Sequence, residues 1–296
     1  MESIFEGSGV ALITPMNEDL TVNYEKLEEL IEEQIAEGTD ALIACGTTGE
    51  ASTLTHEEHL KVIQRSVEIV NHRIPVVAGS GSNSTDTAIE MSIESEKYGA
   101  DGLLLVSPYY NKATQKGLIH HYTEIANAVK LPCLLYNIPS RTGLTIQPET
   151  VAYLGKNVPN IVGMKEASGN FTNILRTLEF LDGHDFDLYS GNDDQIIPLM
   201  SLGAKGVISV LACVAPRKTH ELCRAMLDSD VRKAAAMQIE AAELIHQLFI
   251  EVNPIPVKTA LNLMGKEVGP LRLPLCEMEP EHLESLKSAM KEYGIL

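Results

Sequence analysis

The chain has 296 residues, 44% of them apolar, and a formal charge of -18 at neutral pH. That content supplies one large core, and the negative charge, unrelieved by any basic stripe with interleaved aromatics, excludes nucleic acid and membranes as partners. No run approaches the roughly 18 apolar residues that cross a bilayer, and Met1 to Glu6 hold no basic region leading into an apolar stretch, so a cytoplasmic location is expected. Short runs rich in Val, Ile and Leu then recur at nearly even spacing: Val10 to Thr14, Ala41 to Cys45, Pro75 to Gly79, Gly102 to Ser107, Cys133 to Asn137, Ile161 to Lys165, Asp187 to Ser190 and Gly206 to Leu211. Each is followed by a segment of helical period.

Continuous apolar strands are buried on both faces, and the intervening helices are the crossovers that parallel pairing requires. Eight such units predict a closed (β/α)8 TIM barrel. A doubly wound open sheet shares the alternation but seldom needs eight evenly spaced units. Thr55 with Glu58 forms a capping-box pattern at the head of a helix running to Val70, and Gly99 and Gly183 stand where helices should stop. Ala215-Pro216 opens a helix after the last strand. Three more helical stretches follow: Val231 to Val252, Pro256 to Met264 and Glu281 to Tyr293. With no Gly/Ser linker before them, residues 1–228 are expected to form the barrel and residues 229–296 a C-terminal helical appendage packed on it.

In such barrels the chemistry sits where strands end. Among the lysines only Lys165 is carried there by a strand, since Lys205 precedes its strand, Lys130 ends a helix and Lys258 falls in the appendage. An amine set among Ile, Val and Met loses solvation, which favours the neutral form that attacks a carbonyl. The structural alternative is an ion pair with Glu166, although strand alternation turns Glu166 away. Cys45-Gly46-Thr47-Thr48-Gly49-Glu50 ends the second strand, and its amides and hydroxyls could cradle a carboxylate or simply cap a helix. The fifth strand ends at Tyr136, which could relay a proton or only pack, and is followed by Arg141, a carboxylate fork or a surface charge. Tyr109 and Tyr110 follow the fourth strand, suited either to contact with another molecule or to packing at the mouth.

Other motifs carry less. Gly79-Ser80-Gly81 begins like a dinucleotide fingerprint, but Ser84 stands where the third glycine belongs. His56 and His59 are three apart, not the four of a helical zinc pair, and read as surface helix residues; no metal site is expected. The five cysteines, Cys45, Cys133, Cys213, Cys223 and Cys276, are scattered and odd in number, so reduced core positions are expected rather than bridges.

The long motifs GTTGE at Gly46, PYYN at Pro108, YNIPSRTG at Tyr136, GMKEASGN at Gly163, SGNDD at Ser190 and NPIPVKTAL at Asn253, with Gly9 to Pro15 before them, resemble the dihydrodipicolinate synthase family of Schiff-base-forming pyruvate aldolases. The resemblance spans essentially the whole chain. It implies that Lys165 condenses with pyruvate and that the resulting enamine attacks the aldehyde of L-aspartate 4-semialdehyde, the committing step towards diaminopimelate and lysine. No cofactor is implied, because the protonated imine is itself the electron sink. It further implies a hydroxyl relay of Thr48, Tyr136 and Tyr110, pyruvate carboxylate binding by Thr47 and Thr48, an aldehyde-carboxylate fork at Arg141, and a pocket completed near Gly191 and Ile208.

The family resemblance also implies a homotetramer built from two tight dimers, with Tyr110 crossing the tight interface. A regulatory lysine site in some members matches Ala51, Ser52, His56, His59, Asn83 and Tyr109. The acidic residue of inhibited members is replaced by Thr87 here, so weak or absent inhibition is expected. Two rivals differ in kind: another aldolase such as N-acetylneuraminate lyase, which Arg141 argues against, and a non-catalytic barrel serving as a ligand sensor, which fold alone does not exclude.

Overall fold

The computed structural model describes residues 3–296. Its first half runs β1 (Gly7–Ala11), α1 (Tyr24–Ala36), β2 (Ala41–Ala44), α2 (His56–Val70), β3 (Val76–Gly79), α3 (Thr85–Tyr98), β4 (Gly102–Val106), α4 (Gln115–Asn127) and β5 (Cys133–Asn137). Two helices, α5 (Pro139–Thr142) and α6 (Pro148–Asn157), separate β5 from β6 (Ile161–Glu166). There follow α7 (Phe171–Leu181), β7 (Asp187–Ser190), α8 (Ile196–Met200), β8 (Gly206–Ser209) and α9 (Pro216–Leu227). The chain ends with α10 (Val231–Gln247), α11 (Ile255–Leu263) and α12 (Pro280–Tyr293).

All eight strands are parallel and close in sequence order, β8 pairing with β1, so the barrel read from the sequence is present. Two apolar layers hold it. Alternate strand residues such as Ile43, Val77, Leu104, Leu134, Tyr136 and Ile208 fill the barrel's interior. The other set, among them Leu42, Leu103, Leu135 and Met164, packs outward against the helices. Helix starts follow local chemistry: Thr55 and Glu58 form the expected capping box on α2, and Ser84, Thr114 and Asn170 cap α3, α4 and α7 with their side chains. Gly99 ends α3 in the left-handed region. Among the described residues no helix is long and apolar enough to cross a membrane.

Three elements differ from the sequence reading by more than a single residue at a boundary. The first strand is Gly7–Ala11, not Val10 to Thr14. Its Gly-Ser-Gly start carries no apolar signal because the space is already taken: a Cβ on Gly9 would stand 2.8 Å from both Phe5 and Ile43. At the β1–β8 seam Gly206 lies so close to Gly7 that any Cβ would overlap the Gly7 carbonyl. The last strand stops at Ser209, where Asp193 Oδ2 accepts the amides of Val210 and Leu211 and turns the chain. The helix from Val231 stops at Gln247, five residues early. At the end of α7 it is Asp182, with Gly183 after it, that takes the left-handed conformation.

Candidate active site

Lys165 enters the barrel because of an irregularity in β6. Cys133 pairs with Ile161, but Leu134 pairs with Gly163, so β6 carries one extra residue at Val162. Ile161 faces the helices, and strict alternation from it would turn Lys165 outward as well. The bulge resets the alternation. Met164 then faces the helices, and Lys165 comes level with the inward-facing Tyr136 and Tyr189 on either side.

The Lys165 ammonium nitrogen lies 4.5 Å from the Tyr136 ring centroid, and both side chains are buried. Glu166 is not its ion-pair partner. That carboxylate, on the opposite face, accepts from Asn137 Nδ2 at 2.9 Å and from the Ser168 amide at 2.6 Å, and burial pushes its pKa up. Gly191 forms the wall beside the lysine stem. A Cβ there would stand 2.6 Å from the Ala167 Cβ and 3.0 Å from Lys165 Cε, so only glycine leaves the side chain its path. Asp193 is a buried carboxylate with its pKa raised by desolvation and partly restored by hydrogen bonds and the Lys165 charge.

The loop after β2 is not a helix cap. Thr55 caps α2, whereas Thr48 is buried with its Oγ1 accepting from Asn253 Nδ2 at 3.0 Å, and Thr47 is half-buried. Glu50, left-handed at φ 53°, closes the turn and pairs with Lys258 at 2.7 Å. The sequence reading set Lys258 aside, yet it is fully buried: its ammonium also meets the carbonyls of Pro270 at 2.6 Å and Thr14 at 3.3 Å. The signal was present, since a lysine inside the apolar run of α11 needs a buried counter-charge. Asn253 had no role assigned to it. Besides holding Thr48, its carbonyl accepts from Arg141 Nη2 at 2.9 Å.

Arg141 is exposed on the short helix α5 and lines, with Thr47 and Tyr136, a cavity of ≈ 400 Å³. Ile208 is buried in the barrel lining. Tyr110 does not pack at the mouth: it is 91% exposed and left-handed at φ 73°. Its loop is held by Asn83, whose Nδ2 donates to the Tyr109 carbonyl at 3.2 Å and whose own carbonyl accepts from Asn111.

The same cavity is lined by Ala51, Ser52, His56, His59, Thr87 and Tyr109, with Asn83 adjoining through Tyr109. His59 corrects the surface reading. Helix α2 buries it with Val62, Ile63 and Ser66, its Nε2 lies 2.7 Å from the Gly79 carbonyl, and burial lowers its pKa to about 4, so it is neutral. Among the described residues no cluster of His, Cys, Asp and Glu could hold a metal ion. Four of the cysteines are buried as reduced thiols, with Cys276 exposed.

Comparison with known proteins agrees along the whole length. The model of the dihydrodipicolinate synthetase family matches residues 4–293. The 4-hydroxy-tetrahydrodipicolinate synthase of Thermoanaerobacter sp. (strain X514) is 57% identical over 293 residues, covering 99% of this chain and 98% of that protein. The crystal structure of dihydrodipicolinate synthase from Aquifex aeolicus superposes with a TM-score of 0.96 at 46% identity, covering 98% of this chain and 99% of the other. That of the chloride-inhibited enzyme from Acinetobacter baumannii complexed with pyruvate gives 0.95 at 45% identity, covering 98% and 99%. A barrel whose bulge delivers a buried lysine to its interior, matched from end to end at this level, leaves one assignment: the chain belongs to the dihydrodipicolinate synthetase family.

Proposed function

We propose that this protein is a 4-hydroxy-tetrahydrodipicolinate synthase, condensing pyruvate with L-aspartate 4-semialdehyde through an imine on Lys165. The observation that carries the reading is the setting of Lys165: buried at the strand ends, beside Tyr136, with its neighbouring carboxylate committed elsewhere. The amine adds to the pyruvate ketone and water leaves. Loss of a methyl proton from the protonated imine gives an enamine, whose carbon attacks the aldehyde. The new carbon-carbon bond forms as the aldehyde oxygen takes a proton, and the substrate amine then displaces Lys165 as the ring closes.

In this reading Tyr136 and Thr48 carry protons to and from the reacting atoms, and Thr47 and Thr48 hold the pyruvate carboxylate. Arg141 holds the carboxylate of the aldehyde, a group a sugar substrate would not place there. Gly191 and Ile208 bound the pocket. Tyr110 is too exposed to serve its own chain's cavity, which supports its reaching the site of a second copy in a tight dimer, two such dimers making a tetramer. The part of that same cavity lined by His56, His59, Ser52 and Tyr109 serves as the regulatory pocket of the assembly, altered at Thr87. A cytoplasmic location accords with this metabolic role.

Borohydride reduction in the presence of pyruvate, followed by peptide mass spectrometry, tests the reading. A stable adduct confined to the Lys165 peptide is expected. An adduct on Lys258, or none, overturns it, as does faster cleavage of sialic acid than condensation of the two substrates.

A further inference from the structure

Tyr136 and Lys165 stand opposite each other in the β5–β6 register, and the next pair along is Asn137 and Glu166. Successive strand residues face opposite ways, so the first pair looks into the barrel and the second towards α7, whose Ile174 and Leu178 lie beside Glu166. The inner pair meets only through the ammonium nitrogen, 4.5 Å from the ring centroid. The outer pair is hydrogen-bonded and buried: Asn137 Nδ2 donates to Glu166 Oε2 at 2.9 Å, and the Ser168 amide donates to Oε1 at 2.6 Å. Both directions are fixed from outside. A main-chain amide only donates, and the Asn137 side chain cannot turn over, because its Oδ1 already accepts the Ile146 amide at 3.0 Å. Residue 166 must therefore offer an acceptor on both of its terminal atoms, which a carboxylate does and an amide does not.

We infer that Glu166 is a positioning residue: from the outer face of the barrel it locks β5 to β6 and so sets the separation of the Lys165 amine from Tyr136. The inference rests on the Schiff-base reading of the site and adds to it the part that aims the nucleophile. Main-chain bonds extend the same tie. The Glu166 carbonyl accepts the Gly191 amide at 2.7 Å, and the Asn137 carbonyl accepts the Ala167 amide at 2.9 Å. Glu166 thus joins the ends of β5, β6 and β7 around the lysine stem. The ladder needs such a lock at this point, because its register shifts between Cys133 and Leu134, just before the site, and regular pairing cannot be relied on to hold the strands level.

The isosteric change Glu166→Gln sets a donor against one of two fixed donors, so a bond is lost whichever way the new amide turns. Imine formation is read by mixing with pyruvate, quenching with borohydride at successive times and measuring the Lys165 peptide by mass spectrometry. Its rate is expected to fall about 10-fold or more, the scale of a small misplacement of a reacting group. The final extent of trapping should match that of the parent. The double variant Asn137→Asp/Glu166→Gln reverses the polarity of the lock. The carboxylate at 137 then accepts both the Ile146 amide and the new side-chain amide, whose oxygen takes the Ser168 amide. Every donor again has an acceptor, and the rate should return to within about three-fold of the parent, because two residues acting through one bond are not additive. A folded Glu166→Gln variant that forms the imine as fast as the parent overturns the inference, as does a folded double variant no faster than a slow Glu166→Gln. If Glu166→Gln does not fold, the double variant decides alone: a parent-like rate supports the lock, and a slow or unfolded protein overturns it. Each of these outcomes leaves the imine in place. Failure of the wild type to form any pyruvate adduct removes the Schiff-base reading and this inference with it.

Discussion

Lys258 and Glu50 face each other at 2.7 Å with both side chains sealed from solvent, joining helix α11 to the loop that carries Thr47 and Thr48. The Lys258 pKa is lowered by desolvation and pulled back up by Glu50, so the buried ammonium depends on that carboxylate. Removing one member strands a buried charge, a loss of about 3 kcal/mol or more. Lys258→Met is therefore expected to lower the melting temperature by roughly 5 °C or more. It should also raise the pyruvate KM by loosening the loop. Calorimetry and steady-state kinetics check the two halves.

Lys165 differs from Lys258 in making no direct ion pair: the buried Asp193 carboxylate feels its charge, but that group also keeps the amides of Val210 and Leu211. Lys165→Ala is expected to abolish turnover and pyruvate trapping, yet leave the far-ultraviolet circular dichroism and the melting temperature close to those of the parent. A large fall in melting temperature would mean that the residue is structural.

Tyr110 stands in a strained conformation with nearly all its surface free, the kind of cost that concentrates at functional positions. Tyr110→Phe should slow turnover about 100-fold if the hydroxyl carries a proton. Co-expressing it with Lys165→Ala makes the test sharper. In a hybrid dimer one site regains a wild-type lysine from one chain and a wild-type tyrosine from the other, so activity should reappear on mixing two inactive parents. No recovery in hybrids confirmed by native mass spectrometry would place Tyr110 in its own chain's site or in none.

Thr87 lines the cavity around His56 and Ser52, and on the proposed regulatory reading a carboxylate at this position is what would meet the ammonium group of a bound lysine. L-lysine should inhibit weakly or not at all in steady-state assays. Thr87→Glu should make inhibition measurably stronger by supplying the missing charge. A low inhibition constant for the parent protein would contradict the argument.

Acid should destabilise the fold in a defined window. Burial holds His59 and His121 neutral, with pKa values lowered to about 4 against an ordinary 6.5. Between these values the unfolded chain binds protons that the folded chain refuses, so stability is full above pH 6.5 and declines as pH falls towards 4. The displacement corresponds to about 3 kcal/mol for each ring. Melting temperature recorded from about pH 7.5 to 4 should show this slope, and His121→Leu should flatten it.

How much of this was legible in the residues depended on whether the signal was local. The eight strands, the capping box at Thr55 and the lysine at the end of β6 follow from period, cap chemistry and position. The start of β1 was missed because Gly7 and Gly9 are small for the sake of Asp40 and Ile43, neighbours more than thirty residues away in the chain. The bulge at Val162 was invisible for the same reason: it exists only in the pairing with β5, although it decides which way Lys165 points. Asn253 and Lys258 reach Thr48 and Glu50 across more than two hundred residues, and only the folded chain shows who their partners are.

The glycine seam between β1 and β8 has a consequence for the molecule as a whole. A cylinder of parallel strands has no free margins only because its first and last staves can touch, and here the first of their four pairs is made by two residues without side chains. One methyl group at Gly206 would wedge the cylinder open and expose two raw margins able to recruit strands from neighbouring molecules. The smallest residues in the chain thus guard it against clumping.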